Sequence, residues 1–245
     1  MPDIKSGSGS NRNARSKIHT LTAVGVFIAL AYIFIFLFRF KASFLSFDLK
    51  DTVMTVGAMF FGPVYGLAMT VIVALLEFIT IGETGVYGLI MDIISSATFV
   101  CAASIIYRYR RTFRGSVLAM ASAVMVMTVM MIGANFVITP YYMHMKTEEV
   151  VPLIFSLILP FNLIKAIFNA SMTFILYKPV SIALKQAGFI KPSDTGMMTA
   201  VPSSVAGETV YKYKIKWVSV VIPIIIAAAA MAVFFMVLKG SLTFK

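Results

Sequence analysis

The sequence predicts an all-α integral membrane protein with a core of six hydrophobic helices and one additional transmembrane helix near the carboxyl terminus. Hydrophobic residues make up 60% of the 245 residues and charged residues only 13%, a balance typical of membrane proteins and not of soluble domains. Most apolar runs reach the ~20 residues that a membrane-spanning helix needs. The net charge of +11 comes from short basic clusters between these runs, which favours a lipid bilayer over nucleic acid as the partner.

Residues 1–17 are predicted to form a flexible basic cytoplasmic tail, because Ser6 to Ser10 alternate with glycine before Arg12, Arg15 and Lys17. The substrate-binding membrane core follows over residues 18–185. Its apolar runs are approximately 19–38, 51–62, 64–80, 86–107, 116–139 and 151–177. The second run is too short to span a membrane unaided, and Pro63 interrupts the helical hydrogen bonds after it. Runs two and three are therefore expected to form a tight hairpin or a broken pair of helices.

The carboxyl-terminal part adds three further segments. Residues 186–216 are rich in glycine, proline and serine and predict a flexible cytoplasmic linker. Residues 217–238 are apolar over a length that predicts an additional transmembrane helix. Residues 239–245 would then be a short outside tail.

Orientation is predicted from the distribution of Lys and Arg. With the amino terminus in the cytoplasm, 14 of these residues lie on the cytoplasmic side, six lie outside, among them Lys50 at the end of the first outside loop, and Lys165 is left in the membrane. Because cytoplasmic loops carry the excess of positive charge, the sequence predicts a cytoplasmic amino terminus.

Familiar catalytic motifs are absent from the sequence. It has no glycine-rich phosphate loop with a Lys-Ser/Thr pair and no His-Glu-x-x-His motif. The single cysteine, Cys101, lies in an apolar run, so a disulfide or a cysteine metal site is not expected. We therefore predict binding or transport and no enzyme activity, with no catalytic residue, metal or resident cofactor.

The first outside loop is the first candidate for a ligand-binding element. It combines aromatic, aliphatic and acidic residues at Phe44, Leu45, Phe47 and Asp48, a mixture that can cover an aromatic ligand while its polar groups face water. The alternative is an interfacial belt in which these side chains only partition to the membrane surface. The later turn at Gly85 brings backbone near the same side, or simply reverses the chain.

Polar side chains inside the apolar runs are the second candidate. Glu77, Asp92, Asn135, Asn162 and Lys165 fall near the outer ends or interiors of runs three to six, so they are expected to converge on one outward-facing cavity. Asn162 and Lys165 are three residues apart and share a helix face. An amide beside an ammonium suits a heterocycle with carbonyls and ring nitrogens. The alternative is that these groups hydrogen-bond neighbouring helices and only hold the bundle together.

An ordered set of motifs resembles the riboflavin-specific S component of energy-coupling factor (ECF) transporters. The set spans about residues 18–185 and comprises Phe47-Asp48-x-x-Asp51, Phe61-Gly62-Pro63, Ser95-Ser96-Ala97-Thr98-Phe99, Ile105-Ile106-Tyr107, Asn135-Phe136-Val137-Ile138-Thr139-Pro140 and Pro160-Phe161-Asn162-Leu163-Ile164-Lys165. The resemblance implies a six-helix protein of a prokaryotic cell membrane that captures riboflavin from outside. It also implies two kinds of partner, a transmembrane coupling subunit and two cytoplasmic ATPases.

The resemblance also assigns roles to individual residues. It implies ligand contacts from the first outer loop and from Asn135, Asn162 and Lys165, and a contact face for the coupling subunit at Gly25 and Ala29 on the first helix. The chain departs from the family in two ways. Many relatives carry a Lys-Asn pair where this chain has Val73-Ala74, and the ordinary family lacks the seventh span.

Three other functions stay open from the sequence. One is the capture of another flavin or a small aromatic vitamin, which ranks second after riboflavin. A membrane scaffold, with its polar residues as interhelical contacts, is a different class. A lipid-modifying enzyme is the weakest reading, because an acid–base pair or metal cluster would be required.

Overall fold

The computed structural model describes residues 7–42, 45–82, 84–189, 200–205, 208–213, 218–237 and 241–242. These residues are almost entirely helical, which confirms the predicted all-α membrane fold. The helices are α1 (Gly7–Leu37), α2 (Lys50–Phe61), α3 (Pro63–Ile81), α4 (Gly85–Tyr109), α5 (Phe113–Met143), α6 (Thr147–Leu153), α7 (Leu159–Gln186) and α8 (Val218–Val237). Within the described residues, five helical stretches are long and apolar enough to cross a membrane.

Helix α2 is short and lies inside the bundle. Every residue from Lys50 to Met59 is buried, and a 12-residue helix is only about 18 Å long. The helix ends at Gly62, whose φ of 106° is a conformation that favours glycine, and α3 begins at Pro63. The predicted broken pair of helices is thereby confirmed, with α2 surrounded by protein instead of lipid.

The sixth span is one helical rod with an irregular turn in its middle. Helix α6 leads through a π-helical turn, Ile154–Ile158, into α7. Pro160 has no N–H to donate to the carbonyl four residues earlier, so the regular ladder cannot continue across this point. The irregular turn lies immediately before Asn162.

Three short strands form a small sheet at one end of the bundle. Strand β1 (Arg39–Ala42) pairs antiparallel with β2 (Leu45–Asp48), so that the chain between α1 and α2 forms a hairpin. A strand after α8, Ser241–Leu242, pairs with the free edge of β1. We refer to this end of the bundle as the hairpin end, and to the third strand as β5.

The linker prediction needs a correction. Residues 186–216 were expected to lack regular structure, but Ala200–Val205 (β3) and Glu208–Tyr213 (β4) pair as an antiparallel hairpin. Strand β3 contains two valines, and β4 contains valine, threonine and two tyrosines; these residue types favour extended backbone.

The amino-terminal tail also differs from its prediction. The tail was expected to be flexible through residue 17, whereas α1 is already helical at Gly7. No proline occurs between Gly7 and Leu37, and the Arg and Lys residues of this stretch are good helix formers. The backbone hydrogen bonds of α1 therefore extend from its membrane-spanning part towards the amino terminus as far as Gly7.

Two packed clusters hold together the helices that meet at the hairpin end. Residues of α1, α2, α3 and α4 form one cluster around Phe27, Met54 and Val73, while α4, α5 and α7 form another around Phe99 and Met127. Since α2 contributes to both, its first residues are fixed between neighbouring helices. These residues, Lys50 to Thr52, lie directly below the hairpin end.

Candidate functional site

A cavity of about 340 Å³ opens at the hairpin end. Its wall comes from the β1–β2 hairpin, the adjoining ends of α3, α4 and α5, and the start of α7. The volume lies within the range of small-molecule sites. The four aromatic residues of the wall are Phe78, Tyr87, Tyr142 and Phe161.

Eight residues predicted from the sequence lie together on the wall of this cavity. They are Leu45, Asp48, Glu77, Gly85, Asp92, Asn135, Asn162 and Lys165. Five of them, Glu77, Asp92, Asn135, Asn162 and Lys165, were expected to converge and do line one cavity. The contact of all eight residues with a ligand stays a prediction. Phe44 lies outside the described residues, and only the backbone of Phe47, a residue of β2, is described.

Gly25 and Ala29 lie elsewhere, on the exposed side of α1. A Cβ atom added at Gly25 would meet nothing within 4 Å, so the backbone of this helix is open to a neighbour. The role of the two residues as a partner contact stays a prediction.

Both predicted amides are held by their own helices. Asn135 Nδ2 donates to Met131 O at 2.7 Å, and its Oδ1 accepts from Thr139 Oγ1 at 2.8 Å. Asn162 Nδ2 donates to Ile158 O at 2.8 Å, in the π-helical turn. This bond uses one of the two Nδ2 hydrogens, so Asn162 can still offer its Oδ1 as an acceptor and its second N–H as a donor to a ligand.

Lys165 lies on the cavity wall and is paired with Asp51 of α2, which does not line the cavity. The Lys165 Nζ lies 3.4 Å from Asp51 Oδ2 and donates to Ser95 Oγ at 3.4 Å. Asp51 Oδ1 accepts from Ser96 Oγ at 2.5 Å, and its Oδ2 accepts from Asn169 Nδ2 at 3.3 Å. Asp51 is fully buried and Lys165 is 5% exposed. The ammonium therefore has both a structural partner and a place on the cavity wall.

A second buried ammonium, that of Lys50, links three carboxylates of the wall. Its Nζ is hydrogen-bonded to Glu77 Oε2 and to Asp92 Oδ2, the latter at 2.8 Å, and lies 3.9 Å from Asp48 Oδ2. Arg39 Nη2 reaches the other oxygen of Glu77 at 3.9 Å. These contacts join the hairpin to α3 and α4, because each carboxylate comes from a different element.

Burial raises the pKa of the Asp48 carboxyl from 3.8 to about 7, although the Lys50 ammonium acts in the opposite direction. Three cations, Arg39, Lys50 and Lys165, thus lie among the carboxyl groups of Asp48, Asp51, Glu77 and Asp92. The site is rich in hydrogen-bond donors and acceptors.

Sequence reasoning missed several residues of this site. Lys50 was counted among cations facing the outside, and Asp51 only as part of a motif. The Asp48-x-Lys50-Asp51 run directly before an apolar segment was the available signal, since charges of both signs at the start of a buried helix require partners. Tyr87 and Tyr142 lie on the wall with ring centroids 6.3 Å apart, and no sequence pattern distinguished them.

Comparison with known proteins agrees with this fold. Residues 19–177 match the family model described as "ECF transporter, substrate-specific component". One similar solved structure, the S component of a bacterial ECF transporter, has a TM-score of 0.60 at 25% identity. The match covers 69% of this chain and 99% of that chain. No curated protein sequence matches the chain significantly.

The family match extends over more than half of the chain and includes α2 to α5 and the cavity-lining part of α7. Members of this family are substrate-binding subunits, not enzymes, and work with a coupling subunit and ATPases. This chain belongs to the family of substrate-specific components of ECF transporters.

Proposed function

We propose that this protein captures riboflavin at the outer face of a prokaryotic cell membrane, for ATP-driven import. The observation that carries the proposal is the meeting of Asn135, Asn162, Lys165 and Asp92 on the wall of a cavity framed by aromatic rings, in a chain of the substrate-specific family. The amino terminus is then cytoplasmic, as the distribution of basic residues favours.

The chemistry of the cavity wall supports a flavin. An isoalloxazine ring is flat and carries carbonyls and ring nitrogens, which the Lys165 ammonium can meet as a donor and the Asn162 oxygen can meet as an acceptor. The ribityl chain carries hydroxyl groups, and the Glu77 and Asp92 carboxylates are strong acceptors for them. Rings of Phe161 and the two wall tyrosines offer apolar faces for stacking.

This chain has Val73-Ala74 where many relatives are expected to carry a Lys-Asn pair, so it lacks the hydrogen-bond donors of that pair. Ala74 lies on the cavity wall and Val73 is buried beside it, so this turn of α3 offers only apolar contact. A flavin bound here therefore takes its polar contacts from Glu77, one turn later on α3, and from α4, α5 and α7. Another flavin or a small aromatic vitamin is the second candidate, and it is favoured by the same apolar face.

We also propose that partner subunits supply the energy for import. The chain carries no nucleotide-binding motif, so a transmembrane coupling subunit and two cytoplasmic ATPases are expected to drive release of the vitamin into the cell. Vesicles that contain this chain alone should not accumulate riboflavin when ATP is supplied. ATP-driven uptake by the chain alone would contradict this part of the proposal.

The first test is the visible absorption spectrum of the purified full-length protein, with mass analysis of the released small molecules. Stoichiometric riboflavin supports the proposal. A colourless preparation that also fails to quench riboflavin fluorescence would overturn riboflavin as the ligand. If no aromatic vitamin binds, the scaffold alternative becomes the better explanation.

A matched pair of variants then tests the site. Asn162→Ala removes a group on the cavity wall, and Ser171→Ala removes a buried group of the same helix that does not line the cavity. Each donates to the carbonyl four residues earlier, so the loss of local helix bonding is matched. Loss of a buried ligand partner is worth ~1–3 kcal/mol, so Asn162→Ala should weaken riboflavin binding about five- to 150-fold. Ser171→Ala should leave the affinity unchanged, and equal affinities in the two variants would contradict the site.

A further inference from the structure

Helix α8 lies beyond the residues that match the family, which end at 177, yet it packs against the helix that forms part of the cavity wall. Helix α8 contributes Ala227, Ala230 and Phe234 to one buried cluster. The other members are Leu49, directly before α2, and Phe161, Ile164 and Phe168 of α7. The rings of Phe161 and Phe234 lie with centroids 6.4 Å apart. Since Phe161 also lines the cavity, α8 is separated from the cavity by one side chain.

The contact uses one face of α8 only. Phe234 is fully buried, whereas its neighbour Phe235 is 39% exposed and Ile225 is also exposed. The buried alanines are three residues apart and allow the two helix backbones to approach closely. The remaining surface of α8 is apolar and suits lipid. The helix therefore has a defined docking face, directed at α7.

A second contact connects the end of α8 to the cover of the cavity. Strand β5 pairs with β1, with Phe40 opposite Leu242 and Lys41 opposite Ser241. The same hairpin supplies Arg39, Leu45 and Asp48 to the cavity wall. Backbone hydrogen bonds from the carboxyl-terminal strand thus extend the sheet that covers the site.

The hairpin is held on both sides. On one side Arg39 reaches Glu77 of α3 at 3.9 Å. On the other side Leu45 and Leu49 pack on the cluster that contains Phe234, and β5 occupies the edge of β1. Movement of the hairpin away from the cavity would break the β1–β5 pairing and expose part of this cluster.

We infer that the C-terminal span is part of the substrate site, with Phe234 and strand β5 positioning Phe161 and the β1–β2 hairpin against the bound substrate. The inference rests on the proposed function for the identity of the ligand. Its consequence is kinetic, because contacts that must separate before the hairpin opens slow the release of whatever the cavity holds.

The first experiment compares full-length Phe234→Ala with Met236→Ala, which removes a large apolar side chain from the exposed surface of the same helix. Hydrogen exchange of residues 39–48 is measured without ligand, and riboflavin dissociation is followed by fluorescence. Phe234→Ala should accelerate exchange in this segment and raise the dissociation rate about tenfold. Met236→Ala should change neither quantity.

A third variant separates positioning from general packing. Phe99→Ala removes a fully buried phenylalanine from the cluster of α4, α5 and α7, away from α8. It should lower thermal stability while leaving the hairpin's exchange and the dissociation rate unchanged. If Phe99→Ala and Phe234→Ala accelerate release equally, Phe234 has only a general packing role and the inference is overturned.

A cross-link tests the strand contact without destabilising the fold. Lys41→Cys and Ser241→Cys, combined with Cys101→Ser, place two cysteines on paired positions of β1 and β5. Oxidation should slow riboflavin release, and reduction should restore the original rate. Equal rates in the two states would overturn the role of β5.

The ligand-free measurement keeps the two proposals apart. Unchanged exchange of the hairpin in Phe234→Ala overturns the role of the C-terminal span, whatever the ligand is. Accelerated exchange in a protein that binds no riboflavin supports the positioning role and overturns riboflavin as the substrate.

Discussion

The buried pair of Lys165 and Asp51 allows a ligand contact to be distinguished from a purely structural one. The ammonium lies 3.4 Å from the carboxylate, and both side chains are almost completely shielded from solvent. Replacing Lys165 alone by methionine leaves the carboxylate of Asp51 with only its bonds to Ser96 and Asn169. Loss of one partner of a buried ion pair costs roughly 3–5 kcal/mol, so Lys165→Met is expected to unfold at a much lower temperature than the wild type.

The double variant Asp51→Asn/Lys165→Met removes both charges together. Replacement of a complete buried pair by neutral groups is often close to neutral in free energy, so most of the lost stability should return. Riboflavin binding should not return, because the ligand has still lost an ammonium donor. We expect the double variant to bind about five- to 150-fold more weakly than the wild type, which corresponds to ~1–3 kcal/mol.

Two assays in detergent distinguish a ligand contact of Lys165 from a purely structural role. Thermal unfolding measures the stability of each variant, and fluorescence quenching measures its riboflavin affinity. A stable double variant that binds riboflavin as tightly as the wild type would refute the reasoning and leave Lys165 a structural residue only. A matched control is Lys146→Met, which removes an exposed lysine and should alter neither assay.

Three further predictions concern the elements around the cavity. Lys50→Met leaves neighbouring carboxylates without their shared ammonium and should lower the unfolding free energy by roughly 3–5 kcal/mol, measured against Lys146→Met. Gly62→Ala should cost roughly 1–2 kcal/mol because φ is 106° there, whereas Gly133→Ala, at an open helical position, should be neutral or stabilising. Folded Asp48 keeps its proton to about pH 7 while the unfolded carboxyl loses it near 3.8, so this residue should lower stability as pH rises through that window. Thermal unfolding of Asp48→Asn at several pH values should show a smaller fall.

The helical spans could be predicted because they depend on local properties of the sequence. Apolar length locates each span, and Pro63 after Gly62 marks the break between α2 and α3. The convergence of Asn135, Asn162 and Asp92 could also be predicted, since antiparallel spans bring alternate loops to one side. Position along a span is enough to place a residue at one end of the bundle.

The remaining features depend on contacts between distant segments. Lys50 was assigned to the outside water because it adjoins a loop, but Glu77 and Asp92 lie 27 and 42 residues away in sequence and hold it inside. The pairing of β1 with β5 joins residues about 200 positions apart, a distance over which no local pattern carries information. The hairpin β3–β4 was missed because glycine and proline in the linker outweighed its β-branched residues.

The β1–β5 pairing also constrains the topology of the whole chain. Strand β1 follows directly after α1, and β5 follows directly after α8, so the carboxyl ends of the first and last spans meet at the same side of the bundle. The beginning of α1 therefore lies on the opposite side from the end of α8. If α8 spans the membrane and the beginning of α1 lies in the cytoplasm, as the excess of basic residues predicts, the cavity at the hairpin end faces outward. Helix α8 then returns the chain to the side where the proposed substrate arrives.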